Sequence, residues 1–348
     1  MMKRRDFTAA QKTPNHVLSF AVLMTVGTVL LVGASAAFML FGAEPTGLQD
    51  VIGGLFFYDP DSFIHIVIRD IRLPRLLADI IVGVSLAVAG AVMQGNTKNP
   101  MADSGLMGIS SGSVFAILLM MLFVPHATRL ERIGYSFLGA AGATLLIYAI
   151  AMLGRRNITS DRMVLAGMAI STLFGSVTTA IMLKDGLSAG MMKYSAGSSA
   201  NTLWSDVAVA APFFIVGFLV SILISRMLTV LNLGEDVSRG LGANVKVIKF
   251  LSTMVVLVLS ATAVIIIGPV GYVGLMVPHI VRYFVGTDYR LILPSCAVIG
   301  ALFVVLVDLL ARVLIAPLEF PIGVLVTMIG VPFFIFISRR QKNDTFAG

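Results

Sequence analysis

The chain has 348 residues, 57% of them hydrophobic and only 12% charged, with a mean hydropathy of +0.96 and a net charge of +7. A soluble domain carries roughly twice that charged fraction and apolar runs of about 5–12 residues, so a water-soluble enzyme or binding domain is excluded. The single cysteine, Cys296, excludes a disulfide framework or a thiolate metal site within one chain.

Lipid offers backbone polar groups no water partner, so only helices or a closed barrel can span it. The apolar runs are continuous rather than alternating with period two, which favours helices over a barrel. The chain opens on Lys3, Arg4, Arg5 and Lys12, followed by an apolar run over 17–41. That run is too long for a signal-peptide core of about 7–15 residues, and it is read as a retained first span. Ten spans are predicted: 17–41, 76–94, 105–124, 133–153, 162–183, 205–229, 248–268, 271–286, 291–312 and 320–338. The eighth is short, contains Pro278, and follows Gly268, Pro269, Gly271 and Gly274. Such a broken entry survives at membrane depth only where protein or a water-filled cavity covers it.

Ten spans place both termini on one side. That side receives 17 of the 25 basic residues and 7 of the 18 acidic ones, a balance of +10 against −3 on the other. The positive-inside rule then makes both termini cytoplasmic, and the basic surplus needs no nucleic acid to explain it. One membrane domain covers 1–348, with cytoplasmic tails at 1–15 and 339–348 and a polar inner loop at 226–249.

Five segments stand out in chain order. Arg72-Leu73-Pro74-Arg75 precedes the second span, where the proline predicts a stiff turn that holds two guanidiniums at the outer mouth. Arginine pairs with carboxylates through a two-pronged fork, but arginines at helix ends also serve as interfacial anchors. Gln94–Gly108 reads as a cytoplasmic reversal, with a turn at Asn99-Pro100 and Asp103 as a cap for the next helix. Leu233–Lys246 is polar and glycine-punctuated, and reads as two short helices joined near Gly240–Gly242. Gly268–Arg282 carries His279, which has no second histidine or carboxylate at helical spacing; a packing or gate-side role suits it. The last segment joins Asp308–Arg312 to Pro317–Gly323 and places Arg312 outside with Arg72 and Arg75. On the fifth span, Gly167, Ser171, Phe174, Gly175, Thr178 and Met182 share one face of small and mixed-polarity residues. That face fits a translocation path or close helix packing.

In this order and spacing, RLPR, QGNTKNPMADSGLMG, LGEDVSRGLGANV, GPVGYVGLMVPHIVR, GTDYR, DLLAR and PLEFPIG resemble the FecCD-type permeases, which import iron–siderophores, haem and cobalamin. The resemblance covers about residues 60–340. It implies the all-α, type II ABC importer permease fold in a bacterial cytoplasmic membrane. It further implies a second permease subunit (a copy or a paralogue), two cytoplasmic ATPase subunits and an extracytoplasmic substrate-binding protein. The matching positions for binding-protein docking are Arg72, Arg75 and Arg312. Those for ATPase coupling are Gly234, Glu235, Asp236, Ser238, Arg239 and Gly242. Thr159, Ser160 and Asp161 resemble the cytoplasmic gate region, and the fifth-span face at Gly167, Ser171, Phe174, Thr178 and Met182 borders the family's path. The segment from Lys193 to Ser199, with Trp204, resembles an outer motif in which Tyr194 stands where a tryptophan is usual; no role attaches to it.

No Gly-x-x-x-x-Gly-Lys-Ser/Thr phosphate loop occurs in the sequence. ATP and magnesium are therefore expected on the partner subunits, with no catalytic residue, cofactor or metal site in this chain. Iron–siderophore is the expected cargo, ahead of haem and cobalamin. The reading from another class is an ion-coupled carrier using Asp79 and Asp308 with His279 as relay.

Overall fold

The computed structural model describes residues 16–42, 46–103, 108–152, 160–185, 191, 194–314 and 320–346. Among them the regular structure is entirely helical: α1 (His16–Leu40), α2 (Leu48–Phe56), α3 (Phe63–Ile66), a π-helical turn (Val67–Arg72), α4 (Leu73–Thr97), α5 (Ile109–Phe123), α6 (Arg129–Met152) and α7 (Ser160–Asp185) in the first half. The second half holds α8 (Trp204–Leu223), α9 (Ser225–Asn232), α10 (Glu235–Gly240), α11 (Val245–Ile267), α12 (Val273–Val285), α13 (Tyr289–Leu314) and α14 (Ile322–Phe346). Seven helical stretches are long and apolar enough to cross a membrane, and α5, α12 and the Ile322–Phe336 part of α14 are shorter apolar helices. Together they account for the ten predicted spans.

α4 is the axis of the bundle. Nearly every residue from Pro74 to Thr97 is buried, because α11, α12, α13, α8 and α9 pack around it. Its sequence explains how so many neighbours fit. A Cβ on Gly83 would lie 2.3 Å from the Gly300 carbonyl oxygen, and one on Gly90 only 2.0 Å from that of Gly274. Helix backbones approach this closely only through small residues, as membrane helices do where no hydrophobic force drives them together. α5 and α6 cross the same way at Gly112 and Gly139.

The Arg-Leu-Pro-Arg stretch departs from expectation. It is not a turn, since helix runs through it from Phe63 to Thr97. Pro74 sits near the N-terminus of α4, directly after the π-helical turn. There Leu73 N donates to Ile68 O, five residues back. The next bond in that register would need an N–H on Pro74 and would end on Arg69 O. That carbonyl accepts the Trp204 indole N–H instead, at 2.9 Å. The proline is tolerated because a side chain from α8 satisfies the group it orphans.

The inner loop differs in part: it bends at Gly234, with φ +122°, before the short α10, and again at Gly242, with φ +81°, where a join was expected, but the helix that follows is the long α11, capped by Asn244. Glycine is needed at 234 because that backbone angle is closed to other residues.

Candidate functional site

The first candidate site is a buried charge junction where α4 meets α13. Arg75 grips Asp308 with two prongs, Nη2 to Oδ1 at 2.6 Å and Nε to Oδ2 at 2.8 Å. Arg75 Nε also donates to Ser199 Oγ at 3.0 Å, and that hydroxyl lies 3.2 Å from Asp308 Oδ2. Arg312, one turn beyond Asp308, approaches the same carboxylate at 3.6 Å and lies over the Phe38 ring at 3.8 Å. Arg72 donates to the Met39 carbonyl and, at 2.7 Å, to Thr46 Oγ1, which ties α4 to the end of α1. Asp79, wholly buried, is one turn along α4 from Arg75 and neighbours Asp308.

The sequence reading puts all three arginines on one side of the membrane without pairing them, whereas the structure brings Arg75 and Arg312 to one carboxylate and gives Arg72 partners at the end of α1. It does not hold them open at the mouth: Arg72 and Arg75 are each 4% exposed, and their guanidiniums serve internal partners. Burial favours this outcome, because a charge removed from water must be paired to be tolerated. Sequence reasoning missed Ser199, which lay in a segment given no role. It gave Asp308 a role only in the rival reading, as a carrier, and not as the counter-ion of two arginines. The Asp308–Arg312 spacing of four was the available signal, since it places both on one helix face.

The second candidate site is the loop at the opposite end of α11. Glu235 pairs with Lys249 at 2.6 Å and with Arg239 at 3.2 Å, while Asp236 reaches Arg239 at 3.5 Å. The hydrogen bond from Lys249 holds the Glu235 carboxyl below its ordinary value. Ser238 is buried and donates to Val230 O at 2.9 Å, so it fastens α10 to α9. Gly234 and Gly242 supply the two positive-φ bends. What this loop presents outward is apolar. Leu233, Val237 and Leu241 are 62%, 51% and 66% exposed, and Val247 and Phe250 extend the patch onto α11. The 4-residue spacing of Leu233, Val237 and Leu241 was visible in the sequence, but the polar residues between them drew the attention.

The fifth-span face is corrected. Gly167 and Thr178 are buried, Phe174 stacks on Phe115 at 4.8 Å, Ser171 meets Ser111 at 3.2 Å, and Met182 packs beside α5. Most of that face of α7 packs against α5 within the chain, whereas Gly175, which belongs to it, is exposed. The open side of α7 carries Met168, Thr172, Gly175, Ser176 and Thr179. Of the gate residues, Thr159 lies outside the described residues, and Ser160 and Asp161 begin α7. A groove of about 560 Å³ instead runs along α14, bounded by Ser195, Ala196, Pro269, Gly271, Thr327 and Met328.

A third polar cluster fixes α12. Gln94 Nε2 donates to Gly274 O at 3.2 Å, and Arg282 bonds both Gln94 Oε1 and, at 3.1 Å, Tyr289 Oη. His279 packs edge-on to Phe333. Among the described residues no three His, Cys, Asp or Glu side chains gather to hold a metal ion. Asp308 pairs with Arg75 and Arg312, and among the described residues no hydrogen bond or ion pair joins His279 to it.

Two features decide the class: a ten-span bundle built on a central glycine-lined helix, and a family match that extends over residues 16–340, the FecCD transport family. The chain belongs to the FecCD transport family. This FecCD protein is 37% identical over 322 residues to an iron(3+)-hydroxamate import system permease of Bacillus subtilis (strain 168), covering 92% of this chain and 84% of that one. It is 35% identical to a hemin transport system permease of Yersinia pestis, over 82% of this chain and 86% of the relative. A solved metal-chelate type ABC transporter in an inward-facing conformation superimposes with a TM-score of 0.81 at 26% identity, over 92% of this chain and 99% of that one. The relatives it matches are transport subunits of importers.

Proposed function

We propose that this FecCD protein is the membrane permease of an ATP-driven importer that carries an iron–siderophore into the cytoplasm. The observation that carries the reading is the exposed Leu233–Val237–Leu241 stripe on a short, internally braced helical loop. Solvent-facing apolar knobs on a rigid loop mark a docking element. A chain without a phosphate loop needs an ATPase to dock there, and that partner would hold ATP and magnesium. The charge balance supports a cytoplasmic position for this loop.

Glu235, Asp236, Ser238 and Arg239 then brace the loop, and the apolar stripe meets the partner. At the other end, we assign docking of a substrate-binding protein to the mouth around Arg72, Arg75 and Arg312. Their burial supports a positioning role, with the pairs setting the shape and positive potential beneath the docking surface. A second permease subunit would face the groove along α14, and the chelate would pass between the two. Siderophore is ranked first because iron-chelate permeases predominate among the relatives.

The test is the reconstituted complex. Val237→Glu with Leu241→Glu should abolish uptake and cut stimulated ATP hydrolysis about tenfold or more, as loss of a central apolar contact does. Glu235→Gln should have a smaller effect. Full coupling in the double variant would refute the docking role of the loop. Uptake measured in parallel with ferric siderophores, haem and cobalamin decides the cargo.

A further inference from the structure

Thr253 lies about two turns into α11 and is buried where that helix meets α4 and α6. Its hydroxyl donates to the Lys249 carbonyl, one turn back, at 2.9 Å. A hydroxyl has one proton to give, so its other contacts must be accepted. The Tyr148 hydroxyl of α6 therefore donates to it at 2.7 Å, and the Asn96 amide of α4 at 3.4 Å. One threonine oxygen thus ties three helices together, and its shorter bond goes to α6.

Two further connections lead away from this joint. Lys249, whose carbonyl takes the Thr253 proton, extends its side chain to Glu235 of α10 at 2.6 Å. Thr253 is therefore one helical turn from the ion pair that braces the inner loop. On the other side, Ile147 and Ala143 of α6 pack against Ala166 and Ile170 of α7. α6 presents Tyr148 to α11 and its neighbour Ile147 to α7. A half-buried tyrosine hydroxyl finds a partner as a rule, but this one finds it on the helix that leads directly out of the loop.

We propose that, with an ATPase docked on the inner loop as above, Tyr148 is a positioning residue through which movement of the loop reaches α6 and then α7. When the partner displaces α10, the Glu235–Lys249 pair draws the first turns of α11 with it. The Thr253 hydroxyl hands that displacement to Tyr148, and the apolar contact between α6 and α7 completes the route. The longer Asn96 bond gives α4 a weaker hold on the same hydroxyl, so α6 follows more readily than the central helix.

The test uses the reconstituted complex with spin labels on α4 and α7, trapped with a non-hydrolysable ATP analogue, and needs no cargo. In wild type the separation should change on trapping. Tyr148→Phe removes one oxygen and keeps the ring, so it should melt with wild type and co-purify the ATPase equally. The fraction of molecules that shift should nevertheless fall about fivefold, the scale of one net hydrogen bond. Thr253→Val should lose the shift as well, whereas Thr253→Ser, which keeps the hydroxyl, should retain it. Tyr148→Phe combined with Thr253→Val should cost no more than Thr253→Val alone, because the two hydroxyls make one bond. A wild-type shift in Tyr148→Phe with the ATPase bound would overturn the joint and leave the docking reading standing. Fully additive losses in the double variant would overturn it too. The docking reading fails by a different result: ATPase association unimpaired by Val237→Glu with Leu241→Glu. Tyr148 would then have no loop movement to transmit.

Discussion

Arg75 and Asp308 show why a buried ion pair is a poor guide to stability and a good guide to structure. Removing two charges from water costs several kcal/mol per ion, and the mutual attraction roughly repays it when every donor is satisfied. Here Ser199 and Arg312 add further contacts to the carboxylate, so the pair fixes how α4, α13 and the segment at Ser199 meet. Asp308→Asn would strand two guanidiniums. It should destabilise the protein by about 3–5 kcal/mol, visible as a large fall in melting temperature in detergent. Arg75→Met combined with Asp308→Leu removes one of those guanidiniums together with the carboxylate, still deprives Arg312 of it, and should recover only part of that loss. If the double variant melts no higher than the single one, the pair contributes more than mutual neutralisation. The same reasoning bears on transport. Charge reversal at Arg75 or at Arg312 would test folding before it tested docking, since both guanidiniums sit on the buried Asp308 carboxylate.

At the scale of helices, the close crossings set what the sequence can tolerate. Gly90→Val would drive a side chain into the Gly274 backbone, which cannot yield as a flexible side chain could. The expected loss exceeds about 4 kcal/mol, seen as loss of a monodisperse folded peak after extraction. Gly142→Ala has nothing within 4 Å of the new methyl and should leave the melt unchanged or raise it by up to about 1 kcal/mol. Helix positions and number were legible because lipid forces long apolar runs, whatever the tertiary packing. The Arg-Leu-Pro-Arg helix was not legible, because its continuity depends on Trp204 reaching across from a segment more than 130 residues away. The fifth-span face was ambiguous for a related reason. Small and mixed residues suit both a path and a tight helix contact, and the contacts to Phe115 and Ser111 on α5 depend on a neighbouring helix that the pattern on this one does not reveal. The helical character of the inner loop was legible, but its exposed Leu233, Val237 and Leu241 were passed over, since polarity in a loop is conspicuous and three spaced aliphatic residues are not.

Across the whole molecule, packing is uneven in a way that constrains how the chain can move. α4 and α11 are buried along most of their length, whereas only 22% of the spanning part of α7 is buried. α4 joins the Arg75–Asp308 junction at one end to the Gln94–Arg282–Tyr289 cluster at the other. Backbones in contact at Gly83–Gly300 and Gly90–Gly274 leave no room for one helix to slide on another. α4, α12 and α13 should therefore travel as one rigid body, and the change of access should fall on α7 and on the open flank of α14. Spin labels on α4 and α13 should keep their separation to within about 2 Å when the complex is trapped with a non-hydrolysable ATP analogue, the scale of small shear between packed helices. Labels on α4 and α7 should shift by more. The reverse pattern would mean that the glycine crossings open during transport. The central helix would then be a moving part, and the buried arginine junction would have to break in every cycle.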